Sequence, residues 1–153
     1  MKYNIDDIDR RILYLLIKDA RAPFLEIARE VGISGTAIHQ RVERLREKGV
    51  IAGSQVLVEP TAIGLNVCAF VNIAVTEAGK LGDVIKALKE IPEVVECHFI
   101  TGKYSLFVKI YCRDNTHLME VLMGRIRNIP CVQGTETMIS LEEAFQRQVW
   151  VKE

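Results

Sequence analysis

Along this chain the spacing of the apolar residues changes period once, and that change restricts the folds open to it. Helical spacing dominates residues 6–48, and strand-like runs dominate from residue 65. Between them "GSQVLVEPTAIGLN" supplies Gly53, Pro60 and Gly64 as breakers. The expected organisation is a helical domain over residues 1–52, a linker over 53–64 and a second domain over 65–153. A length of 153 residues has room for two such small domains.

In the first part, Asp6 is placed to cap a helix whose first turn carries Asp7 and Asp9, both favourable against the positive end of the helix dipole. Ile8, Ile12, Leu15 and Leu16 form its apolar stripe. A second helix follows Pro23, with Phe24, Ile27, Ala28 and Val31 at i, i+3, i+4 and i+7, and Gly32 ends it where a left-handed residue is needed. Ser34 caps a third helix whose inner stripe is Ile38, Val42 and Leu45. Three short helices around one small core follow from these spacings.

The later part contains an internal echo. "DVIKALKEIPEV" at 83–94 and "VLMGRIRNIPCV" at 121–132 share a pattern, a helix halted by Ile-Pro and followed by a strand. Each helix also follows a strand, at 67–75 and 105–112. Strand, helix, strand, twice over, is the ferredoxin-like βαββαβ arrangement, so the fold class is α+β. "VCAFVNIAV" and "SLFVKIYC" are apolar on both alternating faces and are expected at the centre of the sheet, with "VVECHFI" and "VQGTETMIS" at its edges. Two helices cover one face of four strands. Phe70, Phe107 and Tyr111 fall on the face opposite Val71, Val108 and Ile110, so a second copy of the sheet is the expected cover and the chain is expected to dimerise.

Composition narrows the functional classes. Hydrophobic residues make up 49% of the chain and charged residues 26%, the balance of a globular protein. No apolar run approaches the roughly 20 residues that span a bilayer, and "MKYNIDDIDRR" lacks the apolar core of a signal peptide, so a cytoplasmic protein without a membrane partner is expected. Cys68, Cys97, Cys112 and Cys131 lie far apart with no Cys-x-x-Cys pair and no histidine at ligand spacing, which predicts buried free thiols and no metal site. A net charge of zero argues against coating nucleic acid by bulk charge, yet leaves room for a local basic face.

"VGISGTAIHQRVERLREKGVI" at 31–51 is such a face, an amphipathic helix with a nearly bare first turn and four basic side chains. Small residues at Ser34, Gly35, Thr36 and Ala37 let the N-terminal end approach a phosphate or a base edge. Thr36, His39, Gln40 and Glu43 point outward, and His39 and Gln40 offer donors and acceptors to the major groove. Arg41 and Arg44, with Arg46 and Lys48 beyond them, are expected to grip phosphates of double-stranded DNA. Alternating Arg and Glu also decorates ordinary solvated helices; the Gly-Ile-Ser turn between two helices of matched stripe tips the balance toward DNA.

The chain resembles the leucine-responsive/asparagine-type (Lrp/AsnC) transcription regulators over nearly its whole length. The resemblance rests on "IDDIDRRILYLLIKDAR", "EIAREVGISGTAIHQRVERLREKGVI", "GLNVCAFVNIAV", "TGKYSLFVKI" and "TETMISL", in the family's order. It implies an N-terminal helix-turn-helix domain that binds promoter DNA and a C-terminal ferredoxin-like domain that dimerises and senses small amino acids. It also implies that homodimers assemble further, commonly into an octamer. The "TGKYS" loop would take the effector's charged ends, assigning effector contacts to Thr101, Gly102, Tyr104 and Ser105, with Gln133, Thr135 and Glu136 of the adjoining dimer opposite. Gly102 suits a turn that requires positive φ. Leucine-type members usually read Gly-Asp-Tyr-Asp where this chain has Gly-Lys-Tyr-Ser, which is closer to the asparagine-responding branch and favours a polar amino acid such as asparagine. No cofactor beyond that effector is implied.

Two rival functions have their own signatures. Acylphosphatases share the βαββαβ layout but carry a phosphate-cradling loop with an arginine after the first strand; "TEAGKLG" offers Lys80 only, and no nucleophile, base and orienting partner stand at recognisable spacing, so no catalytic activity is expected. The other rival is an effector-binding adaptor whose helix-turn-helix meets protein in place of DNA.

Overall fold

A computed structural model describes residues 4–151, so the outer limits expected for the two domains, residues 1 and 153, fall outside the described residues. The chain divides into two compact units. One runs up to Leu57 and takes in the stretch from Phe145 onward; the other is Val58–Ala144. The stretch from Phe145, expected in the second domain, thus groups with the first: residues 142–151 form neither helix nor strand, and no ladder ties them to the sheet.

The first unit holds α1 (Asp7–Lys18), α2 (Phe24–Val31) and α3 (Gly35–Glu47). Asp6 caps α1 by accepting the Asp9 backbone N–H at 2.7 Å. Gly32 closes α2 in the left-handed region, φ 81°, and Ser34 Oγ caps α3 by accepting the Ala37 N–H at 3.1 Å. Ile12, Ile27, Ala28, Ile38 and Val42 are buried together, with Ile8, Leu15, Leu16, Phe24 and Val31 packed around them, the stripes expected from spacing. Burying one isoleucine or valine side chain contributes roughly 1.5–3 kcal/mol, so Ile12, Ile27, Ile38 and Val42 supply much of what holds three short helices together.

The second unit carries β1 (Val67–Val75), α4 (Leu81–Lys89), β2 (Val94–Phe99), β3 (Leu106–Cys112), α5 (Asn115–Met119) and β4 (Val132–Ser140). The strand order is β2-β3-β1-β4 and every neighbouring pair is antiparallel, the ferredoxin-like topology with β1 and β3 central. Val71, Ile73, Leu106, Val108 and Ile110 face α4 and the second helix and are fully buried. The second helix differs from its echo. After α5 it widens into a π-helix over Glu120–Ile126, where the Arg127 N–H reaches Leu122 O. The wider turn spans the five-residue step from Val121 to Ile126, so both stay buried on the sheet.

On the opposite face Phe70 and Phe107 stack with centroids 5.4 Å apart. The same face carries a group that the apolar pattern hides, Lys109, 6% exposed, whose ammonium lies 5.2 Å from the Tyr111 ring centre, 3.1 Å from Glu143 Oε2 and 3.9 Å from Glu96 Oε1. Burial opposes its charge, but bonds to Tyr111 and Glu143 outweigh burial and raise its pKa. The four cysteines are free thiols. Cys112 is buried as expected, which pushes its pKa up to about 11, but Cys68 and Cys131 are only half-buried and Cys97 is exposed because it lies on the edge strand β2. No helix among the described residues is long and apolar enough to cross a membrane.

Candidate nucleic-acid and effector sites

The sharp turn at Gly32 and Ile33 delivers the chain to Ser34, and the cap at Ser34 fixes where α3 begins. The first turn is small, as the sequence requires: Ser34 and Thr36 are exposed, and Gly35 has open space where a side chain would stand. His39 and Gln40 are exposed one turn later, with the His39 ring 5.8 Å from that of Phe24, so α2 braces one of the two groups suited to base edges. Ala37, Gln40, Arg41 and Arg44 line a shallow depression of about 260 Å³. Glu43 accepts from Arg46 at 2.6 Å, an ordinary surface pair one turn apart.

The two arginines expected to act alike are placed differently. Arg44 has a half-exposed side chain, with Nη2 3.8 Å from Asp9 Oδ2. Arg41 turns inward, and its Nη1 donates to Asp6 Oδ2 and to Asp9 Oδ1, each at 2.7 Å. Asp9 is only 1% exposed. The two carboxylates raise the Arg41 pKa. The backbone N–H of Asp9 first, and Arg41 second, hold Asp6 below the usual carboxylate value. Asp6 and Asp9 were legible as a helix start but not as partners of the third helix, since nothing local in sequence joins positions 32 and 35 residues apart.

In the second unit the candidate effector residues gather at one end of the sheet. The loop joining β2 to β3 contains exposed Thr101 and Gly102, with Gly102 at φ 114°, the positive value expected of it. Tyr104 and Ser105 are half-buried, and the Lys103 ammonium lies 5.2 Å from the Tyr104 ring centre. The Ser105 N–H donates to Ile73 O at 3.0 Å. On the other side of β1, Thr135 pairs with Ile73 and Glu136 with Asn72; Gln133 and Glu136 are exposed and Thr135 is half-buried. Both halves of the expected contact set of one chain therefore flank the same residue of β1, about two strand spacings or 10 Å apart. Backbone N–H groups suit a carboxylate, and hydroxyl, amide and carboxylate side chains suit an ammonium, so the two segments carry groups for the two ends of a zwitterion.

A second histidine centre lies away from these sites. His117 accepts the Arg113 N–H at Nδ1 (3.2 Å), which leaves Nε2 to donate to Glu93 Oε1 (3.1 Å), while Glu93 Oε2 accepts from Arg125 (2.9 Å). These bonds tie the edge of β2 to the start and end of the second helix.

A three-helix unit with a capped, basic third helix, followed by a ferredoxin-like unit with an exposed polar loop at one end, is the plan of a two-domain transcription regulator. The chain belongs to the Lrp/AsnC family of such regulators: residues 5–46 match the AsnC-type helix-turn-helix domain and residues 68–150 the Lrp/AsnC ligand binding domain. It is 40% identical to the regulatory protein AsnC of Haemophilus influenzae over 96% of this chain and 98% of the relative. The solved structure of Escherichia coli AsnC superposes with a TM-score of 0.91 at 36% identity, covering 96% of this chain and 99% of that one. A feast or famine regulatory protein of M. tuberculosis, solved in complex with L-methionine, superposes with a TM-score of 0.90 at 31% identity over 97% of this chain and all (100%) of that one.

Proposed function

We propose that α3 enters the major groove of double-stranded promoter DNA, and that the second unit binds a small amino acid that alters how many of these reading heads engage DNA at once. The observation that carries the reading is the Ser34-capped helix, with small residues in its exposed first turn and His39, Gln40 and Arg44 beyond it. Ser34, Gly35 and Thr36 approach the backbone closely, His39 and Gln40 meet base edges, and Arg44 meets a phosphate. The effector lies against Thr101, Gly102, Tyr104 and Ser105 of one dimer and Gln133, Thr135 and Glu136 of the next. The L-methionine held by the M. tuberculosis relative supports an amino acid as ligand, and Ser105 with Gln133 favours a polar one such as asparagine. No other cofactor is involved, and no catalysis.

Assembly rests on the outer sheet face, where Phe70 and Phe107 stack in a single chain beside Lys109; a second copy covers it, and homodimers join into a larger ring, an octamer in this reading. The protein acts in the cytoplasm, where promoter DNA is.

Salt-dependent retention on promoter DNA tests the first half, since phosphate contacts release counterions and binding then falls steeply with salt, whereas an adaptor that meets protein shows no such slope. Thermal-shift measurements against the twenty amino acids test the second half. A ligand held by the native state raises the melting temperature, and a polar amino acid is expected to give the largest rise. If none of them moved the melting temperature, the effector site would be wrong.

A further inference from the structure

Arg41 sits in the body of α3 among residues that face DNA in the reading above, and this inference rests on that reading. Its guanidinium is nonetheless committed elsewhere. One nitrogen, Nη1, sends its two hydrogens to two different carboxylates of the first helix, both at 2.7 Å. One of those carboxylates, Asp6, also caps α1 through the Asp9 N–H, so the same side chain fixes the start of one helix and the position of another. The other, Asp9, is almost fully buried, with its second oxygen 3.8 Å from Arg44, and breaking a short ion pair to a buried carboxylate is costly. A DNA phosphate that drew Arg41 outward would have to replace two short charge-assisted bonds, one of them to a buried carboxylate.

We propose that Arg41 is a positioning residue: it clasps α3 to α1 through Asp6 and Asp9 and so sets the angle at which His39 and Gln40 meet base edges, while Arg44, on the rim of the same depression, takes the phosphate. The clasp also masks two carboxylates on the flank of a helix that approaches a polyanion.

The signs of two substitutions separate this role from a phosphate contact. Neutralising Asp9 removes a negative charge near DNA, so by simple electrostatics Asp9→Asn strengthens binding. If Asp9 acts through Arg41, Asp9→Asn weakens it. The full-length protein and its Asp9→Asn, Arg41→Ala and double variants are titrated, over a range of salt, against an operator selected from a random-sequence duplex library by the unmodified protein and against a mixed-sequence duplex. The expected result is that each single variant loses about tenfold in affinity for the operator relative to the mixed duplex, the scale of one base contact. The double variant loses no more than the worse single variant, and the salt slope of all three matches the unmodified protein.

The clasp is overturned if Arg41→Ala weakens both duplexes equally and lowers the slope by about 0.9 per reading head, as loss of a phosphate contact does. It is also overturned if Asp9→Asn binds the operator as well as, or better than, the unmodified protein. Should Asp9→Asn lose its helical circular dichroism, Asp6→Asn takes its place, because asparagine caps a helix as well as aspartate does and Asp6 is half-exposed; the same loss of discrimination is expected there, and its absence counts against the clasp. An unmodified protein that shows no salt-dependent binding to either duplex refutes the DNA reading itself, a result distinct from any pattern among the variants.

Discussion

Asp6 does two jobs with one carboxylate, capping α1 and holding Arg41, and both depend on its charge. Its pKa lies below the ordinary 3.8, first because of the Asp9 N–H and then because of Arg41. The folded chain therefore holds this proton more weakly than the unfolded chain. The stabilisation is fully present above the ordinary value and is lost as pH falls through the lowered one. Asp6→Asn keeps a capping oxygen but removes the charge, so urea unfolding followed by helical circular dichroism is expected to show a shallower loss of stability between about pH 5 and pH 2 than in the unmodified protein. A curve of unchanged steepness would assign the acid sensitivity to other carboxylates. Only half of this residue's role was legible in sequence. The cap is local and announces itself by an aspartate just ahead of an apolar-periodic run, whereas the bond to Arg41 spans 35 residues and exists only because of the angle between two packed helices.

At the scale of the element, α3 shows why the helix-turn-helix was readable almost residue by residue. Pro23, Gly32 and Ser34 each act within one turn of their own position, and the stripe of Ile38, Val42 and Leu45 needs only helical spacing to be recognised. Ser34→Ala removes the hydroxyl that accepts the Ala37 N–H and is expected to lower stability by about 1 kcal/mol, measured by urea unfolding, with a matching weakening of DNA binding as the first turn frays. A loss below the error of the measurement would mean that water replaces the cap without cost. The π-helix over Glu120–Ile126 was not readable. Its sequence pattern parallels that of α4, and what distinguishes it is a backbone widening selected by the need to keep Val121 and Ile126 on one sheet. The Lys109 cluster was missed for a related reason, since a single lysine in an apolar strand looks like an interruption until Glu143 and Glu96 are seen to flank it.

For the whole molecule, which strands are central followed from which are apolar on both faces, and the two candidate effector segments were named from family resemblance, but that both segments of one chain flank Ile73 emerged only from strand register. Gly102 tests the proposed role of the loop. Its φ of 114° is closed to a β-branched residue, yet a Cβ there has nothing within 4 Å, so Gly102→Val strains only the loop backbone, by about 1–3 kcal/mol. The variant is expected to fold and to bind a short duplex normally, while losing its amino-acid response and changing its distribution of oligomers in light scattering with and without the effector. An intact response with unchanged oligomers would remove the loop from the site. Ile73 gives the arrangement its mechanical character. Its carbonyl holds the loop through Ser105, its backbone is registered with Thr135, and its side chain is fully buried beneath the sheet. The loop is therefore pinned at Ser105 to a residue that the core and the far strand also hold, so a displacement at that end is shared with both. An anchor of this kind trades range of motion for stiffness.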